Sequence, residues 1–236
     1  MAKEKLGFIG LGMMGGPMAS NLIKGGHPLI VCDVVDEAAE ALVAEGAERV
    51  ATAKDVADQV ETVLVSLPTP DVVKHVATGP GGLSEGSKIK RYIDLSTSGA
   101  IVAQEVGAAL GEKGIQCLDC PVSGGRRGAE AGSLALMLSG PEDLYEAVKD
   151  ILGYVGSAPF YVGPEPGMAQ TAKVANNYLS AVGNIATAEA MVMGVKSGIE
   201  PETLLDIFNR SSGMNRATED KYPTFVLPRN FKSMRT

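Results

Sequence analysis

The sequence of 236 residues predicts an α/β fold, in which a doubly wound sheet domain is followed by a helical domain. Apolar strand patterns alternate with helix patterns over the first two-thirds of the chain, as in a mainly parallel sheet covered by helices. From Met168 onwards, an alanine-rich helical pattern without proline replaces this alternation. We therefore predict a Rossmann-like domain over residues 1–163 and a partial all-α domain over residues 164–236, beginning with a long helix.

The individual elements follow from hydrophobic pattern and breaker residues. Residues 62–67 are apolar almost throughout, which is typical of a strand buried on both faces of a sheet. A cluster of glycine and proline over residues 163–167 ends the alternation. Strands are predicted over residues 5–10, 29–33, 62–67, 91–95, 115–119, 133–139 and 158–162. Helices are predicted over residues 16–25, 36–46, 69–77, 99–111, 141–152, 168–196 and 201–209, and an irregular remainder is expected.

The turn after the first strand has the spacing Gly10-x-Gly12-x-x-Gly15 and opens a helix. Gly10 permits a tight turn, Gly12 lets backbone N–H groups approach a pyrophosphate, and Gly15 lets helix and strand pack closely. The helix N-terminus then presents its unpaired N–H groups and the positive end of its dipole to the phosphates. This turn predicts a dinucleotide site.

Asp33 indicates which dinucleotide is bound. It ends the second strand, twenty-one residues after Gly12, where a carboxylate would meet the adenosine ribose hydroxyls. The alternative is a solvated strand end. An acid at this position would repel the extra phosphate of NADP, and no arginine or lysine follows within five residues. The sequence therefore predicts NAD.

Composition narrows the classes of partner. The net charge is −7 without a basic stripe, which argues against a nucleic-acid partner. The apolar runs are strand-sized, so no signal peptide or membrane span is expected, and a cytoplasmic location is predicted. Cys117 and Cys120 resemble a metal pair, but residues three apart on a strand point to opposite faces, so no metal site is expected.

Polar and glycine-rich segments follow several strands, at the edge where doubly wound folds bind ligands. The proline-stiffened loop 66–70 could lie along the cofactor, and the hydroxyls of residues 96–98 could approach the nicotinamide ribose. Ser98 could instead cap the next helix. Ser123, Gly124 and Gly125 could offer backbone N–H groups to a carboxylate, although a plain glycine-rich turn would have the same sequence.

Lys173 is the candidate general acid or base. Asn177 follows four residues later and therefore lies on the same face of the predicted helix. The remaining neighbours are apolar, and a desolvated amine can have its pKa lowered towards working pH. A solvated surface lysine is the alternative.

Three separated blocks, residues 8–22, 119–125 and 167–177, resemble the β-hydroxyacid dehydrogenase family. The resemblance is to the 3-hydroxyisobutyrate dehydrogenase type. It includes an NAD-binding domain similar to that of 6-phosphogluconate dehydrogenase. It implies that Lys173 is the proton donor and acceptor, that Asn177 orients amine or substrate, and that residues 123–125 hold the substrate carboxylate. It also implies an NAD site formed by Gly10, Leu11, Gly12, Met13, Met14, Gly15, Asp33, Leu67, Pro68 and Thr97.

The implied activity is oxidation of a small β-hydroxy acid to its semialdehyde or keto form, or the reverse. Arg126 and Arg127 could meet a second acidic group of the substrate, or they could simply be exposed at a helix start. By the resemblance, the family continues with further helices, including a Lys-Asp-Leu segment that helps close the active site, and these do not occur in the 236 residues. A shortened chain and a natural variant completed by a partner subunit are the alternatives. Because a helix pair this small buries little apolar surface by itself, homo-oligomerisation is expected. Two other functions remain open, namely an NAD-binding protein with little catalysis and an NADPH-preferring semialdehyde reductase.

Overall fold

The computed structural model describes residues 3–231, and the chain divides into two compact units, one up to Lys173 and one from Val174 onwards. The first unit contains a single sheet of nine strands. The strands are β1 Leu6–Ile9, β2 Leu29–Cys32, β3 Glu48–Arg49, β4 Thr62–Val65, β5 Arg91–Asp94, β6 Gln116–Asp119, β7 Val122–Ser123, β8 Ala135–Ser139 and β9 Ala158–Gly163.

Seven helices accompany the sheet, and an eighth begins in this unit. They are α1 Gly15–Lys24, α2 Asp36–Val43, α3 Ala53–Ala57, α4 Pro70–Thr78, α5 Ala100–Gly111, α6 Gly125–Ala131, α7 Glu142–Leu152 and α8 Met168–Lys196. A single 3-10 turn, Leu83–Glu85, precedes β5.

The strand order is β3-β2-β1-β4-β5-β6-β8-β7, with β9 also paired to β8. The first six strands in this order are parallel, whereas β8 runs antiparallel to β6 and β7. The order 3-2-1-4-5-6 is that of a doubly wound dinucleotide-binding sheet, with its reversal point between β1 and β4. This confirms the predicted Rossmann-like α/β fold, and it places the glycine turn after β1 at the reversal point.

Apolar side chains alternate between the two faces of the sheet. Leu6 and Phe8 of β1 belong to one core cluster, whereas Ile9 belongs to the cluster on the other face. Cys120 lies in the first cluster and Cys117 packs against the second, which confirms that the two thiols diverge. Burial raises the pKa of the Cys117 thiol to about 12 and also raises the pKa of Cys120.

The structure adds two strands, β3 and β7, two helices, α3 and α6, and the 3-10 turn, none of which the sequence pattern predicted. The two strands contain two residues each, and the two helices contain five and seven residues, which is less than two helical turns, so no hydrophobic period emerges from the sequence. Strand β3 is also exposed at both residues, so it carries no apolar signal at all.

The second unit contains the rest of α8, the helix α9 Pro201–Asn209 and a π-helix, Ala217–Val226. Its core is small and consists of the buried residues Met191, Leu204, Leu205, Ala217 and Tyr222. The expectation of an irregular segment after residue 209 was therefore wrong over Ala217–Val226, where Pro223 lies inside the π-helix instead of excluding a helix. Within residues 3–231, no helix is long and apolar enough to cross a membrane.

Candidate active site

The carboxyl ends of four neighbouring strands meet along one edge of the sheet. Ile9 pairs with Val65, Val65 with Asp94, and Asp94 with Asp119. The glycine turn, the loop after β4, the loop after β5 and the segment before α6 therefore start at the same edge. The topology thus brings together the predicted cofactor and substrate segments of the first unit.

The glycine turn leaves room for a ligand only at its middle glycine. Gly10 has a φ of +88°, and a Cβ there would lie 2.2 Å from the Ser66 carbonyl oxygen. A Cβ on Gly15 would lie 1.8 Å from the Gly10 oxygen, because the first turn of α1 packs directly on the loop. Gly12 is exposed and has open space around its Cβ position. Such an open backbone above a helix N-terminus fits a dinucleotide pyrophosphate.

Asp33 lies beside this turn, immediately after β2. Its carboxylate accepts hydrogen bonds from the backbone N–H groups of Leu11 and Val35, the latter at 2.7 Å. Because Leu11 follows Gly10, the acid is fixed at the edge of the proposed pyrophosphate site. Met13 is half-exposed and Met14 is partly buried, so the rim of the turn is largely apolar.

The loops after β4 and β5 are joined to each other. The Leu67 N–H donates to the Ser96 Oγ at 2.9 Å, and the Ser96 N–H donates to the Asp94 carboxylate at 2.8 Å. Pro68 and Thr97, the other predicted cofactor residues of these loops, are exposed at the same edge. Ser98 does not cap α5, since its hydroxyl donates to Asp94 at 2.9 Å.

The predicted substrate segment, residues 123–125, follows β6 and leads into α6. Ser123 is partly buried in β7, and Gly124 and Gly125 have φ values of +139° and +63° before α6 begins. Arg126 and Arg127 are exposed in the first turn of α6, where Arg126 pairs with Glu130 at 2.7 Å. The observed partner of Arg126 is therefore a neighbouring glutamate on its own helix.

Two buried carboxylates, Asp94 and Asp119, lie at this edge, at the ends of β5 and β6. Burial raises the pKa of Asp119 to about 6 and also raises the pKa of Asp94, its neighbour on β5. The Asp119 carboxylate accepts hydrogen bonds from the Gly167 N–H and from the Ser139 hydroxyl, the latter at 3.1 Å. Ser139 also accepts from the Ala169 N–H at 2.9 Å. Side chains of β6 and β8 thus accept hydrogen bonds from the backbone at the start of α8.

Lys173 follows this anchored turn and is only 8 % exposed. Burial lowers the pKa of its amine below the ordinary lysine value. No described side chain forms an ion pair or a hydrogen bond with it. The expectation that this amine is at least partly desolvated is confirmed. Asn177, one turn further along α8, is exposed and belongs to the second unit.

Sequence reasoning missed Gln170, which is fully buried one turn before Lys173 and bonds to the loop after β5. It also missed Ser139. Gln170 lies within the block 167–177 but between the residues that the resemblance names, and Ser139 lies outside all three blocks. Among residues 3–231, no cluster of three or more histidine, cysteine or acidic side chains could hold a metal ion.

The strand order and the glycine turn define a Rossmann-like nucleotide-binding protein. Residues 5–163 match the family model of the NAD binding domain of 6-phosphogluconate dehydrogenase. Residues 167–235 match that of the NAD-binding region of NADP-dependent 3-hydroxyisobutyrate dehydrogenase. The chain thus belongs to the NAD(P)-dependent β-hydroxyacid dehydrogenases of the 3-hydroxyisobutyrate dehydrogenase type, a family of oxidoreductases.

Individual relatives agree with this assignment. The chain is 37 % identical to 2-(hydroxymethyl)glutarate dehydrogenase of Eubacterium barkeri, over 96 % of this chain and 75 % of that protein. It is 40 % identical to an NAD-dependent L-serine dehydrogenase of Pseudomonas aeruginosa, over 92 % of this chain and 72 % of that protein. A solved structure of Mycobacterium tuberculosis 3-hydroxyisobutyrate dehydrogenase with L-serine has a TM-score of 0.87 and 33 % identity, covering 94 % of this chain and 75 % of that one.

Proposed function

We propose that this chain is an NAD-dependent dehydrogenase that interconverts a small β-hydroxy acid and its semialdehyde or keto form, with Lys173 as the general acid and base. The observation that carries the proposal is the environment of Lys173. The amine is buried, has no described partner, and follows a helical turn that is bonded to the carboxyl edge of the sheet.

Lys173 moves the proton that accompanies hydride transfer. In oxidation, the neutral amine takes the proton of the substrate hydroxyl; in reduction, the ammonium group returns a proton to the forming alkoxide. Burial lowers the pKa of Lys173, so a larger fraction of the amine is neutral near working pH than for an exposed lysine. The bound nicotinamide supplies hydride chemistry, and the protein supplies orientation and the proton.

The substrate carboxylate is assigned to Ser123, Gly124 and Gly125, which lie at the same sheet edge as the glycine turn. Asn177 is assigned to orient the amine or the substrate. The relatives named for 2-(hydroxymethyl)glutarate, L-serine and 3-hydroxyisobutyrate support a substrate of this class, because each of these acids carries a hydroxyl on its β-carbon.

NAD is favoured over NADP because Asp33 is held beside the glycine turn. Its carboxylate accepts from the Leu11 and Val35 backbone N–H groups, so the negative charge is fixed where the adenosine ribose would bind. The turn residues Gly10, Gly12 and Gly15, together with Leu67, Pro68 and Thr97, complete the proposed cofactor site.

Replacement of the amine tests the proposed chemistry. We expect Lys173→Ala to lower kcat by about 10²–10⁴-fold while the dissociation constant of NADH stays near that of the wild type. The assay uses NAD⁺ with 3-hydroxyisobutyrate, L-serine and 2-(hydroxymethyl)glutarate, and NADH binding is followed by fluorescence. Lys196→Ala, on the exposed last turn of the same helix, is the matched control.

An active Lys173→Ala variant would refute the proposed role of the amine. A wild-type chain that binds NADH but turns over none of the acids would favour a cofactor-binding protein. Faster turnover with NADP⁺ than with NAD⁺ would favour the reductase alternative. For the wild type, the oxidation rate should rise with pH through an apparent pKa below 10.5, since burial lowers the pKa of Lys173 and the neutral form is the base.

Self-association is the proposed assembly, because α8 exposes large apolar side chains within the second unit. Tyr178 is 67 % exposed, Leu179 is 71 % exposed and Ile185 is 62 % exposed. Such surface is uncommon on monomeric soluble proteins. Light scattering coupled to gel filtration should give at least twice the monomer mass of 24.4 kDa, and Leu179→Glu should lower it. A wild-type mass of one chain at working concentration would contradict this proposal.

A further inference from the structure

Gln170 has an unusual position for a side-chain amide. It is fully buried in the first turn of α8 and uses both ends of its carboxamide. The Oε1 atom accepts from the backbone N–H groups of Ser98 at 3.1 Å and Gly99 at 3.2 Å. The Nε2 atom donates to the Ser96 carbonyl oxygen at 3.0 Å. One side chain therefore satisfies three backbone groups of the loop between β5 and α5.

The same loop is bonded to the next cofactor segment. The Ser96 Oγ accepts from the Leu67 N–H at 2.9 Å, so the loop after β4 is joined through Ser96 to Gln170. A continuous chain of hydrogen bonds thus runs from the loop after β4, through the loop after β5, to the helix that carries Lys173. It connects the two proposed nicotinamide-side loops with the helical turn that precedes the proposed proton donor.

The packing of the helix start leaves little freedom at this junction. A Cβ on Gly167 would lie 2.9 Å from the Ala100 carbonyl oxygen and 3.1 Å from the Ala100 Cα, so the two backbones are in direct contact. The separation between the start of α8 and the start of α5 is therefore fixed by contact, and the Gln170 hydrogen bonds fix the orientation.

We infer that Gln170 is a positioning residue, which holds Lys173 in register with the loops after β4 and β5. Residues three apart on a helix lie on the same face one turn from each other, so a fixed Gln170 side chain fixes the direction of Lys173. This inference rests on the proposed function of Lys173. Misplacement of a reacting group by about 1 Å costs on the order of 10²-fold in rate, which is the effect expected when the clamp is removed.

The experiment compares Gln170→Leu with Thr171→Val, the next residue along the helix, whose side chain is exposed and bonds only within its own turn. Oxidation of 3-hydroxyisobutyrate and L-serine by NAD⁺ is measured well below the melting temperature. The concentration of sites is counted by NADH fluorescence titration, and kcat is expressed per site. A purely structural role would lower the number of sites and the melting temperature but leave kcat per site unchanged.

We expect Gln170→Leu to lower kcat per site by about 10²-fold and Thr171→Val to leave it unchanged. Gln170→Asn, a carboxamide one carbon too short to reach all three partners, is the second variant if the leucine variant yields no sites. It should lose about tenfold in kcat per site.

A kcat per site within about twofold of Thr171→Val would overturn the inference. The measurement is made on Gln170→Leu, or on Gln170→Asn if the leucine variant forms no sites. An inactive wild type would refute the proposed function and the inference together. An active wild type with a fully active Gln170 variant would refute the inference alone.

Discussion

The proposed cofactor half and the proposed catalytic half of the sheet edge, called the cofactor half and the catalytic half below, are built in different ways. The proposed cofactor half, formed by the turn after β1 and by Asp33 after β2, is exposed only at Gly12 and Met13 and depends on the path of the backbone. The catalytic half, formed by the ends of β5 and β6 and the start of α8, depends on polar side chains that are almost fully buried. These are Asp94, Ser96, Asp119, Ser139 and Gln170.

This difference determines what each half tolerates. The glycine turn has no room for added atoms at Gly10 or Gly15. In the buried network, removal of a partner leaves a polar group without a hydrogen bond, which costs about 1–3 kcal/mol. Substitutions that add atoms should therefore damage the first half, and substitutions that change hydrogen bonding or charge should damage the second.

The largest effect is expected at Gly10. Gly10→Ala places a Cβ 2.2 Å from the Ser66 oxygen on a residue with a φ of +88°, so the free energy of unfolding should fall by at least about 3 kcal/mol. Gly12→Ala is the control, because nothing lies within 4 Å of its Cβ position. It should stay within about 0.5 kcal/mol of the wild type but bind NADH at least about tenfold more weakly. Urea unfolding and fluorescence titration measure the two quantities. Equal destabilisation by both variants would contradict this account of the turn.

The next effect is expected at Asp119, whose pKa burial raises to about 6 from an ordinary 3.8. The native state then binds more protons than the unfolded state between pH 4 and 6, so stability falls as pH rises through that window. A shift of two pKa units corresponds to about 3 kcal/mol, fully lost above about pH 6. Asp119→Asn removes this loss and retains an acceptor for Gly167. Its stability relative to the wild type should therefore improve by up to about 3 kcal/mol from pH 4 to pH 7.

Urea unfolding at several pH values provides the measurement. Asp58→Asn is the control, since hydrogen bonds from Lys54 and Ser87 lower the pKa of Asp58 to about 2, the opposite direction. Above about pH 5, the stability of this control should run parallel to that of the wild type. If the stability of Asp119→Asn also ran parallel to that of the wild type from pH 4 to pH 7, burial would not raise the pKa of the Asp119 carboxyl.

The smallest effect concerns the choice of cofactor. Asp33→Asn removes the charge, and because Leu11 and Val35 bond different carboxylate oxygens, the remaining side-chain oxygen replaces only one of the two acceptors. The ratio of NADPH to NADH dissociation constants should fall by about tenfold, or about 1.4 kcal/mol. Fluorescence titration with both cofactors gives this ratio. An unchanged ratio would mean that another group selects the cofactor.

Sequence and structure agree best in the cofactor half. Gly10, Gly12 and Gly15 are recognisable because their spacing encodes a backbone path, and Asp33 is recognisable because it ends an apolar run. Strand β4 was likewise predictable from its apolar run, and α8 from its alanine-rich stretch without proline. The signals for these residues and elements come from neighbouring positions in the chain, so they can be recognised without knowledge of distant contacts.

The catalytic half could not be predicted in the same way. Gln170 meets residues that lie more than seventy positions earlier, and Ser139 meets Asp119 across an antiparallel pair. Such partners are set by topology and leave no local signal. The resemblance nevertheless predicted a role for Lys173, because its sequence block is ordered relative to the glycine turn. The buried polar clamp that anchors the helix of Lys173 required the structure.

The native cysteines are buried or partly buried, so a single added cysteine can be labelled to study the proposed cofactor half. Burial raises the pKa values of Cys32, Cys117 and Cys120, so few thiolates form at neutral pH and alkylating fluorophores should react slowly with the native chain. Val34 is 99 % exposed and directly follows Asp33. A fluorophore attached through Val34→Cys would report on arrival of the adenosine end without removal of any native cysteine.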